Sequence, residues 1–280
     1  MNRERRAALA RETLEILSEG RYAGPSGRVV EIGDAQQAAV AGSLLYRPHD
    51  FPDPLPGCPR EPVPAAVVEV TGETTLQAAR RLADADPVCL NFASARNPGG
   101  GFLSGSQAQE ESLARSSGLY PCLQALPEMY QHNRQRGTLL YSDHMIYSPR
   151  VPVFRGDGGG LLEEPFLASF ITAPAVNAGA VRLNEPGSEA LIRPTMAERL
   201  RKVLWVAAHH GHRVLVLGAW GCGVFGNDPR MIAGLFGEAL GPGGLFARCF
   251  DHVAYAVFDR TPDQAVLTAF REVLDGTSPT

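Results

Sequence analysis

Apolar runs typical of buried strands alternate along this chain with patterns typical of amphipathic helices, and this order limits the folds it can adopt. The strands predicted from residue 65 onward are Ala65–Val70, Pro87–Phe92, Tyr141–Val151, Leu167–Thr172, Arg213–Leu217 and His252–Phe258. The helices predicted among them are Thr74–Ala83, a polar helix from about Gln107, Thr195–His210, Asp228–Leu240 and Pro262–Leu274. Strands that alternate with helices predict a three-layer α/β/α domain with a largely parallel or mixed central sheet.

Residues 1–64 precede this α/β core, and their pattern predicts an N-terminal extension of it. Their predicted elements are a helix at Arg3–Ser18, a strand at Arg28–Ile32, a helix that Asp34 caps and that runs to about Leu44, and a proline-rich loop at Arg47–Pro64. We therefore predict a single domain over residues 1–280, with residues 1–64 as a helical extension and residues 65–280 as the core.

Composition excludes several classes of protein. Apolar residues make up 44% of the chain, charged residues 20%, and the net charge is −4, so the chain is neither a disordered segment nor a basic nucleic-acid coat. We expect no direct DNA binding, and any polyanionic partner must be held locally. Met1–Gly20 lacks a signal core, and no run approaches the roughly 20 apolar residues of a membrane span. The sequence thus predicts no membrane association.

The cysteines and histidines give no sign of a metal site. The five cysteines are Cys58, Cys89, Cys122, Cys222 and Cys249. Their number is odd, they are widely spaced and none belongs to a Cys-x-x-Cys pair, which predicts a cytoplasmic protein with reduced cysteines and no structural zinc site. The seven histidines form no ligand-spaced cluster beside the acidic residues discussed below. We therefore predict neither a metal nor a cofactor.

Two glycine-rich segments each follow an apolar strand and precede a helix, which is where an open α/β sheet binds ligands. In the first, Gly99, Gly100 and Gly101 allow a close approach to the backbone and positive φ angles. In the second, Gly221–Gly226 precedes the helix at Asp228, so backbone N–H groups and the helix dipole can face an anion. One such turn is often purely structural, but two anion-competent loops in one domain suit a diphosphate.

The second segment also fits the G-x-G-x-x-G pattern of dinucleotide-binding folds, through Gly221, Gly223 and Gly226. That pattern is specific only where further parallel strands follow it. Because only one strand is predicted downstream, a nicotinamide-dependent oxidoreductase is disfavoured.

A pair of carboxylates follows the first glycine segment, in the sequence Gln109-Glu110-Glu111 at the start of a helix. One interpretation is ordinary capping, since the helix dipole stabilises acids in a first turn. The other is a general acid/base, because the charge of a nearby diphosphate favours a protonated carboxyl group. Adjacent residues on a helix point about 100° apart, so these two acids cannot flank one bond as the pair in ordinary glycosidases does. One acid/base and one positioning group fit the pattern better.

The segment Asn91–Glu111, NFASARNPGGGFLSGSQAQEE, resembles the signature of the poly(ADP-ribose) glycohydrolases, a glycine triplet followed after six to eight residues by Gln-Glu-Glu. Further resemblance to the bacterial branch lies in Ile171–Asn177, ITAPAVN, and in Leu217–Pro229, LGAWGCGVFGNDP. The likeness covers most of the chain after about Ala65.

The resemblance implies a macrodomain-like fold that binds ADP-ribose across the carboxyl edge of the sheet, and an enzyme that hydrolyses ribose–ribose bonds. It implies that Glu111 is the acid/base and that Glu110 orients the ribose at the scissile bond. Its implied substrate-binding residues are Asn97 (or Asn91, in another register), Gly99, Gly100, Gly101 and Gln109 near the distal ribose, and Gly221, Cys222, Gly223, Val224, Phe225 and Gly226 around the diphosphate.

The same resemblance implies the partners. They are poly(ADP-ribose), ADP-ribose and ADP-ribosylated proteins, with the enzyme acting as a monomer that reverses ADP-ribosylation after DNA damage. The absence of a basic excess favours release of ADP-ribose from chain ends. Two alternatives share the pocket: a macrodomain that only binds ADP-ribose, which has no need of Gln-Glu-Glu, and a hydrolase that removes mono-ADP-ribose from proteins.

Overall fold

The structure, a computed structural model, describes residues 1–59, 61 and 66–274. Its helices are α1 Arg3–Glu19, α2 Gly33–Ala41, α3 Thr75–Arg81, α4 Gln109–Ser116, α5 Leu119–Gln124, α6 Glu128–Gln135, α7 Ala178–Asn184, α8 Ile192–His209, α9 Pro229–Leu240 and α10 Ala265–Leu274. Its strands are β1 Arg21–Ala23, β2 Val29–Glu31, β3 Leu44–Tyr46, β4 Val67–Thr71, β5 Val88–Phe92, β6 Met145–Arg155, β7 Leu161–Ala173, β8 Val214–Leu217 and β9 His252–Ala256.

Within the described residues, seven strands form one sheet in the order β3-β6-β7-β5-β8-β9-β4. Strands β7, β5, β8, β9 and β4 run parallel, whereas β6 is antiparallel to both β7 and β3. Side chains of α8, α9 and α10 fill the core on one face, and those of α3, α4, α5 and α6 fill it on the other. The predicted three-layer α/β/α class with a mixed sheet is therefore confirmed.

Strand β5 explains why two distant sequence segments meet. Helices cover both of its faces, and this favours a nearly continuous apolar run: Val88, Cys89 and Leu90 are each at most 2% exposed. Because β5 pairs in parallel with both β7 and β8, the carboxyl ends of β5 and β8 lie at the same edge of the sheet. The loops that follow these two strands are the glycine-rich segments, so the topology brings them side by side.

The N-terminal extension is continuous with the core. Strand β3 pairs with β6 at the edge of the main sheet, where the sequence predicts the end of a helix. Helix α2 instead ends at Ala41, and Asp34 lies inside its first turn, where no side chain caps the helix. The predicted helix from Asp34 to Leu44 is thus wrong at both ends. Of the predicted proline-rich loop, residues 60 and 62–64 lie outside the described residues.

The hairpin of β6 and β7 is longer than the sequence predicts. The two strands pair antiparallel around the loop Gly156–Gly160. Pro149, Pro152 and Pro165 lie within them, and prolines argue against strands in sequence. The ladder accommodates them with two register shifts in β6. The sequence also misses α5, α6 and α7, whose six to eight residues give too few turns for a clear periodicity.

Two of the five cysteines are paired in the structure. Cys58, in the loop after β3, forms a disulfide bond with Cys249, and their Cα atoms are 5.3 Å apart. The prediction of reduced cysteines is therefore wrong for this pair, because residues 191 positions apart give no spacing signal. Cys89, Cys122 and Cys222 are free thiols.

Among the helices of the described residues, none has the length and apolar character to cross a membrane.

Candidate active site

The two glycine-rich loops are connected by side chains as well as by the sheet. The ring of Tyr141 lies 6.1 Å from the ring of Phe225 in the second loop, and the guanidinium carbon of Arg96 in the first loop lies 5.9 Å from the Tyr141 ring centre. Tyr141 has a left-handed backbone with φ 56°, which costs an L-residue about 1–2 kcal/mol. Such conformations persist where the surrounding structure fixes them, often at functional sites. Tyr141 therefore joins the two loops into one rim.

The N–H groups of the glycine triplet bind the protein's own acceptors. Gly100 donates to the carbonyl of Asn97 at 3.0 Å and Gly101 donates to Glu111 Oε1 at 3.0 Å, while the Gly99 N–H acts on the Glu110 carboxylate and lowers its pKa. The expectation that this loop offers its N–H groups to a phosphate is therefore wrong. The loop orients the two carboxylates instead.

Gly100 lies where both carboxylates converge. Its φ is 58°, and a Cβ atom there would collide with Glu111 Oε1 and lie 3.2 Å from Glu110 Oε2. Glycine is therefore required at this position by backbone conformation and by space.

Glu110 is buried beneath the loop and is 3% exposed. Its Oε2 accepts a hydrogen bond from the Ser94 N–H at 2.7 Å, and its Oε1 accepts one from Asn91 Nδ2 at 3.4 Å. Burial raises the pKa of Glu110 to about 8, and the neighbouring charge of Glu111 adds to this, although the hydrogen bonds act in the opposite direction. Glu110 therefore keeps its proton readily and is not free to move.

The two oxygens of Glu111 have different surroundings. The Gly101 N–H holds Oε1, whereas Oε2 is buried and has no hydrogen-bond partner among the residues that the structure describes. The side chain as a whole is half-buried, at the mouth of the loop. One oxygen is thus held by the backbone, and the other has no protein donor and is left for a hydrogen bond to a ligand, which a general acid/base must be able to make.

Polar side chains are buried beside Glu110, and sequence analysis names only Asn91 among them, as an alternative ribose contact and not as a support for this carboxylate. Asn91, fully buried on β5, donates to Glu110 and, at 3.1 Å, to Thr172 Oγ1. The hydroxyl of Tyr130 is also buried, and burial together with the charge of Glu110 holds its pKa well above the usual value. The signal for Asn91 is an asparagine inside an apolar strand, since buried polar groups need partners. Thr172 and Tyr130 have no comparable signal.

Gln109 is a structural anchor. Its Oε1 accepts from the Phe92 N–H at 2.9 Å, and its Nε2 donates to Leu90 O at 2.8 Å and to Thr75 Oγ1 at 3.0 Å. Both amide hydrogens are therefore used within the protein, and the predicted role in substrate binding does not fit. The side chain fixes the start of α4 to the end of β5.

The second loop presents a row of backbone donors. Gly221 and Gly226 have φ values of 74° and 64°, and in the described part of the chain the N–H groups of Gly223, Val224 and Phe225 have no protein acceptor. Successive N–H groups of this kind form anion-binding concavities. At the start of the following helix, Asp228 caps α9 by accepting from Met231 N, so that N–H group is already bound within the protein.

The side chains of this loop differ in exposure. Val224 is 91% exposed, whereas Phe225 is half-buried against the core. Cys222 is also half-buried, and burial raises its pKa to about 12, so its thiol does not supply a nucleophile at neutral pH. Asn97 lies exposed on the first loop. Because β5 and β8 run parallel, the two loops that carry the predicted site residues follow strands that end at the same edge of the sheet.

Known proteins with this arrangement identify the family. The family model described as "Microbial-type PARG, catalytic domain" matches residues 10–156, which is more than half of the chain. The chain belongs to this family. The poly(ADP-ribose) glycohydrolases (PARGs) are glycoside hydrolases that act on poly(ADP-ribose), so the prediction from the glycine triplet and Gln-Glu-Glu is confirmed at the level of the family.

Solved PARG structures share the fold over nearly the whole chain. PARG from Thermomonospora curvata is 52% identical, with a TM-score of 0.92, and the match covers 97% of this chain and 100% of that chain. The structure of the same enzyme bound to the inhibitor ADP-HPD is 51% identical, with a TM-score of 0.89, and the match covers 96% of this chain and 99% of that chain. PARG from Deinococcus radiodurans in complex with ADP-ribose is 46% identical, with a TM-score of 0.80, and the match covers 86% of this chain and 97% of that chain. No curated protein sequence matches this chain.

Proposed function

We propose that this chain hydrolyses the ribose–ribose O-glycosidic bonds of poly(ADP-ribose) and releases ADP-ribose, with Glu111 as the acid/base. The observation that carries the proposal is the asymmetry of the Glu111 carboxylate, with Oε1 held by Gly101 and Oε2 buried without a partner among the described residues. Membership of the PARG family supports the reaction, and the PARG structures bound to ADP-ribose and ADP-HPD support the ligand.

The strand order suggests how the substrate lies. The loops after β5 and β8 and the end of β9 follow one another along the carboxyl edge, because these strands are neighbours. The distal ribose then lies at Gly99–Gly101 and Asn97, and the diphosphate at the free N–H groups of Gly221–Gly226. The adenine lies beyond them, at Phe258. That ring is 50% exposed, with the Arg260 guanidinium 4.7 Å away, and exposed aromatic rings stack on nucleic-acid bases.

The chemistry follows from the Glu111 geometry. Protonated Glu111 donates its proton to the 2′-oxygen of the leaving ribose while the distal ribose develops oxocarbenium character. The nearby diphosphate stabilises that positive charge. Glu111, now a carboxylate, removes a proton from a water molecule whose oxygen bonds to the anomeric carbon. The products are ADP-ribose and a polymer shortened by one unit.

The other site residues have supporting roles. Glu110, held by Ser94 and Asn91, hydrogen-bonds the ribose hydroxyls and fixes the sugar relative to Glu111. Asn97, exposed on the first loop, contacts the same ribose. Gln109 positions α4 and does not touch the substrate.

The finer features of the function are also proposals. We propose that the chain acts as one catalytic domain, because β3 of the extension completes the sheet of the core. We propose release from chain ends by a monomeric, cytoplasmic enzyme that acts on ADP-ribosylated proteins in the response to DNA damage. The net charge of −4 supports action at ends, since the protein lacks the basic surface needed to follow a long polyanion.

The variant Glu111→Gln tests the central assignment. It keeps the shape of the side chain but cannot donate and recover a proton, so we expect ADP-ribose affinity within a few-fold of wild type. General acid/base catalysis contributes ~10²–10⁴, and we expect polymer hydrolysis to fall by at least that factor. Glu189→Gln, at an exposed glutamate outside the site, is the matched control. Near wild-type hydrolysis by Glu111→Gln contradicts the assignment.

The substrate itself needs a separate comparison. Release of ADP-ribose from an automodified polymer is measured beside release from a mono-ADP-ribosylated protein. A poly(ADP-ribose) glycohydrolase degrades the polymer and leaves the protein-linked unit. Equal or faster release from the mono-modified protein supports the mono-ADP-ribosyl hydrolase instead, and binding without release from either supports a macrodomain that only binds.

A further inference from the structure

We propose that the N-terminal helix α1 is part of the catalytic apparatus, and that Arg3 and Arg6 are positioning residues for Glu111. This inference rests on the proposed role of Glu111 as acid/base. Among the described residues neither arginine forms an ion pair with the carboxylate, and each acts through the turn that follows the glycine triplet.

Both arginines donate hydrogen bonds to backbone carbonyls of that turn. Arg3 Nε donates to Ser104 O at 2.9 Å, and Arg6 Nε donates to Gly105 O at 2.7 Å. At Gly105, where φ is 77°, a Cβ atom would collide with the carbonyl oxygen of Arg3. The helix backbone and the turn are therefore in direct contact, and only glycine permits this approach.

The turn is coupled to Glu111 by short backbone bonds. The Ser106 N–H donates to Gly101 O at 3.1 Å, which closes the turn onto the last glycine of the triplet. The N–H of the same glycine holds Glu111 Oε1. A displacement of Ser104 or Gly105 therefore moves the donor that orients the catalytic carboxylate.

Helix α1 also contacts α4, which carries Glu111. Thr13 Oγ1 donates to Arg115 O at 2.6 Å, and Ala10 packs in one cluster with Phe102 of the turn and Ala114 of α4. Since α1 touches both the turn and the catalytic helix, it fixes the separation between the donor and the carboxylate. The Arg115 side chain of α4 also contacts the turn, by donating to Ser106 O at 2.8 Å.

The test compares Arg3→Ala, Arg6→Ala and the double variant with Arg11→Ala, at an exposed arginine on the same helix. kcat and KM on poly(ADP-ribose), the Kd for ADP-ribose and the thermal midpoint are measured for each. A misplacement of about 1 Å reduces rates on the order of 100-fold. We therefore expect kcat to fall about 10- to 100-fold in the double variant, with the Kd and KM within threefold of wild type. Arg11→Ala should match wild type, and Arg6→Lys should recover part of the loss.

Two results overturn the proposal. One is a kcat within twofold of wild type in the double variant. The other is a parallel loss of kcat, ADP-ribose affinity and thermal midpoint in both single variants, which indicates a role in folding alone. The Glu111→Gln variant keeps the two proposals separate. Inactive Glu111→Gln with fully active arginine variants contradicts only the role of α1, whereas active Glu111→Gln contradicts the proposed chemistry.

Discussion

Glu110 and Glu111 are adjacent in sequence but have different environments. Glu110 extends under the loop to Ser94 and Asn91, whereas Glu111 lies against the Gly101 N–H at the mouth of the site. The separation of about 100° between neighbouring helical side chains predicts this division from sequence. Which of the two is buried could not be predicted, because it depends on how α4 sits on β5.

The raised pKa of Glu110 gives a prediction for stability. The ordinary pKa is 4.5 and the folded value is about 8, so between these values the folded protein keeps a proton that the unfolded chain releases. The stability that this proton supplies is complete below about pH 4.5 and is lost as the pH rises through 8. Glu110→Gln cannot titrate. The free energy of unfolding of wild type minus that of the variant should therefore fall by roughly 2–4 kcal/mol between pH 5 and pH 8.

Urea unfolding at pH 5, 6.5 and 8 measures this difference. Glu189→Gln serves as the control, since an exposed glutamate should leave the difference from wild type nearly constant. A difference for Glu110→Gln that stays flat, or that rises with pH, contradicts the assignment of a raised pKa.

At the scale of elements, the loop after β8 depends on one buried side chain. Asn227 is 3% exposed, and its Nδ2 donates to Val176 O at 2.8 Å and to Gly221 O at 3.1 Å. These bonds hold the loop in the conformation in which the N–H groups of Gly223, Val224 and Phe225 have no acceptor among the described residues. The sequence identifies the glycines of this loop but gives no sign that the next asparagine supports them.

We expect Asn227→Ala to disturb the loop after β8 more than it disturbs the catalytic carboxylates. Removing the buried amide costs about 1–3 kcal/mol of stability and leaves two carbonyls with one donor fewer. We expect the Kd for ADP-ribose to rise about tenfold, because the free N–H groups no longer converge, whereas kcat at saturating polymer should fall less. Isothermal titration and steady-state kinetics give these values. The control is Asn184→Ala, at an exposed asparagine whose side chain donates to the carbonyl of Ala180 in its own helix. Equal effects of the two substitutions contradict the prediction.

Helices and strands were predictable from sequence where the hydrophobic pattern extends over enough residues. Helices α1, α8 and α9 and strands β5 and β8 lie where the sequence predicts them, within a few residues. The missed elements are short or contain prolines. Strand β3 has three residues, and its pairing with β6 depends on contacts that no local pattern records.

For the whole molecule, sequence predicted the layers and the ligand edge but not the covalent link. The alternation of strands and helices is a local property and therefore indicates the class of fold. The disulfide bond between Cys58 and Cys249 is set by proximity in the folded chain, which cysteine spacing does not show. The contact between α1 and the turn after the glycine triplet is likewise set by proximity in the folded chain, since Arg3 and Ser104 are 101 positions apart.

The disulfide bond should be measurable by counting thiols. Protein purified without reductant and unfolded in guanidinium should show three reactive thiols, Cys89, Cys122 and Cys222, and five after reduction. Cys249→Ser should lower the free energy of unfolding by roughly 2–4 kcal/mol, because the cross-link restricts the unfolded chain. Five thiols without reductant, or a variant as stable as wild type, contradicts the bond.

The central claim is that the carboxylate of Glu111 faces the anomeric carbon of the distal ribose. A crystal structure of this protein with ADP-ribose measures that distance directly. We expect a Glu111 oxygen about 3–3.5 Å from the anomeric carbon or its hydroxyl, with the diphosphate on the N–H groups of Gly223–Phe225. A diphosphate bound away from this loop, or a Glu111 carboxylate on the far side of the glycine triplet from the sugar, contradicts the account.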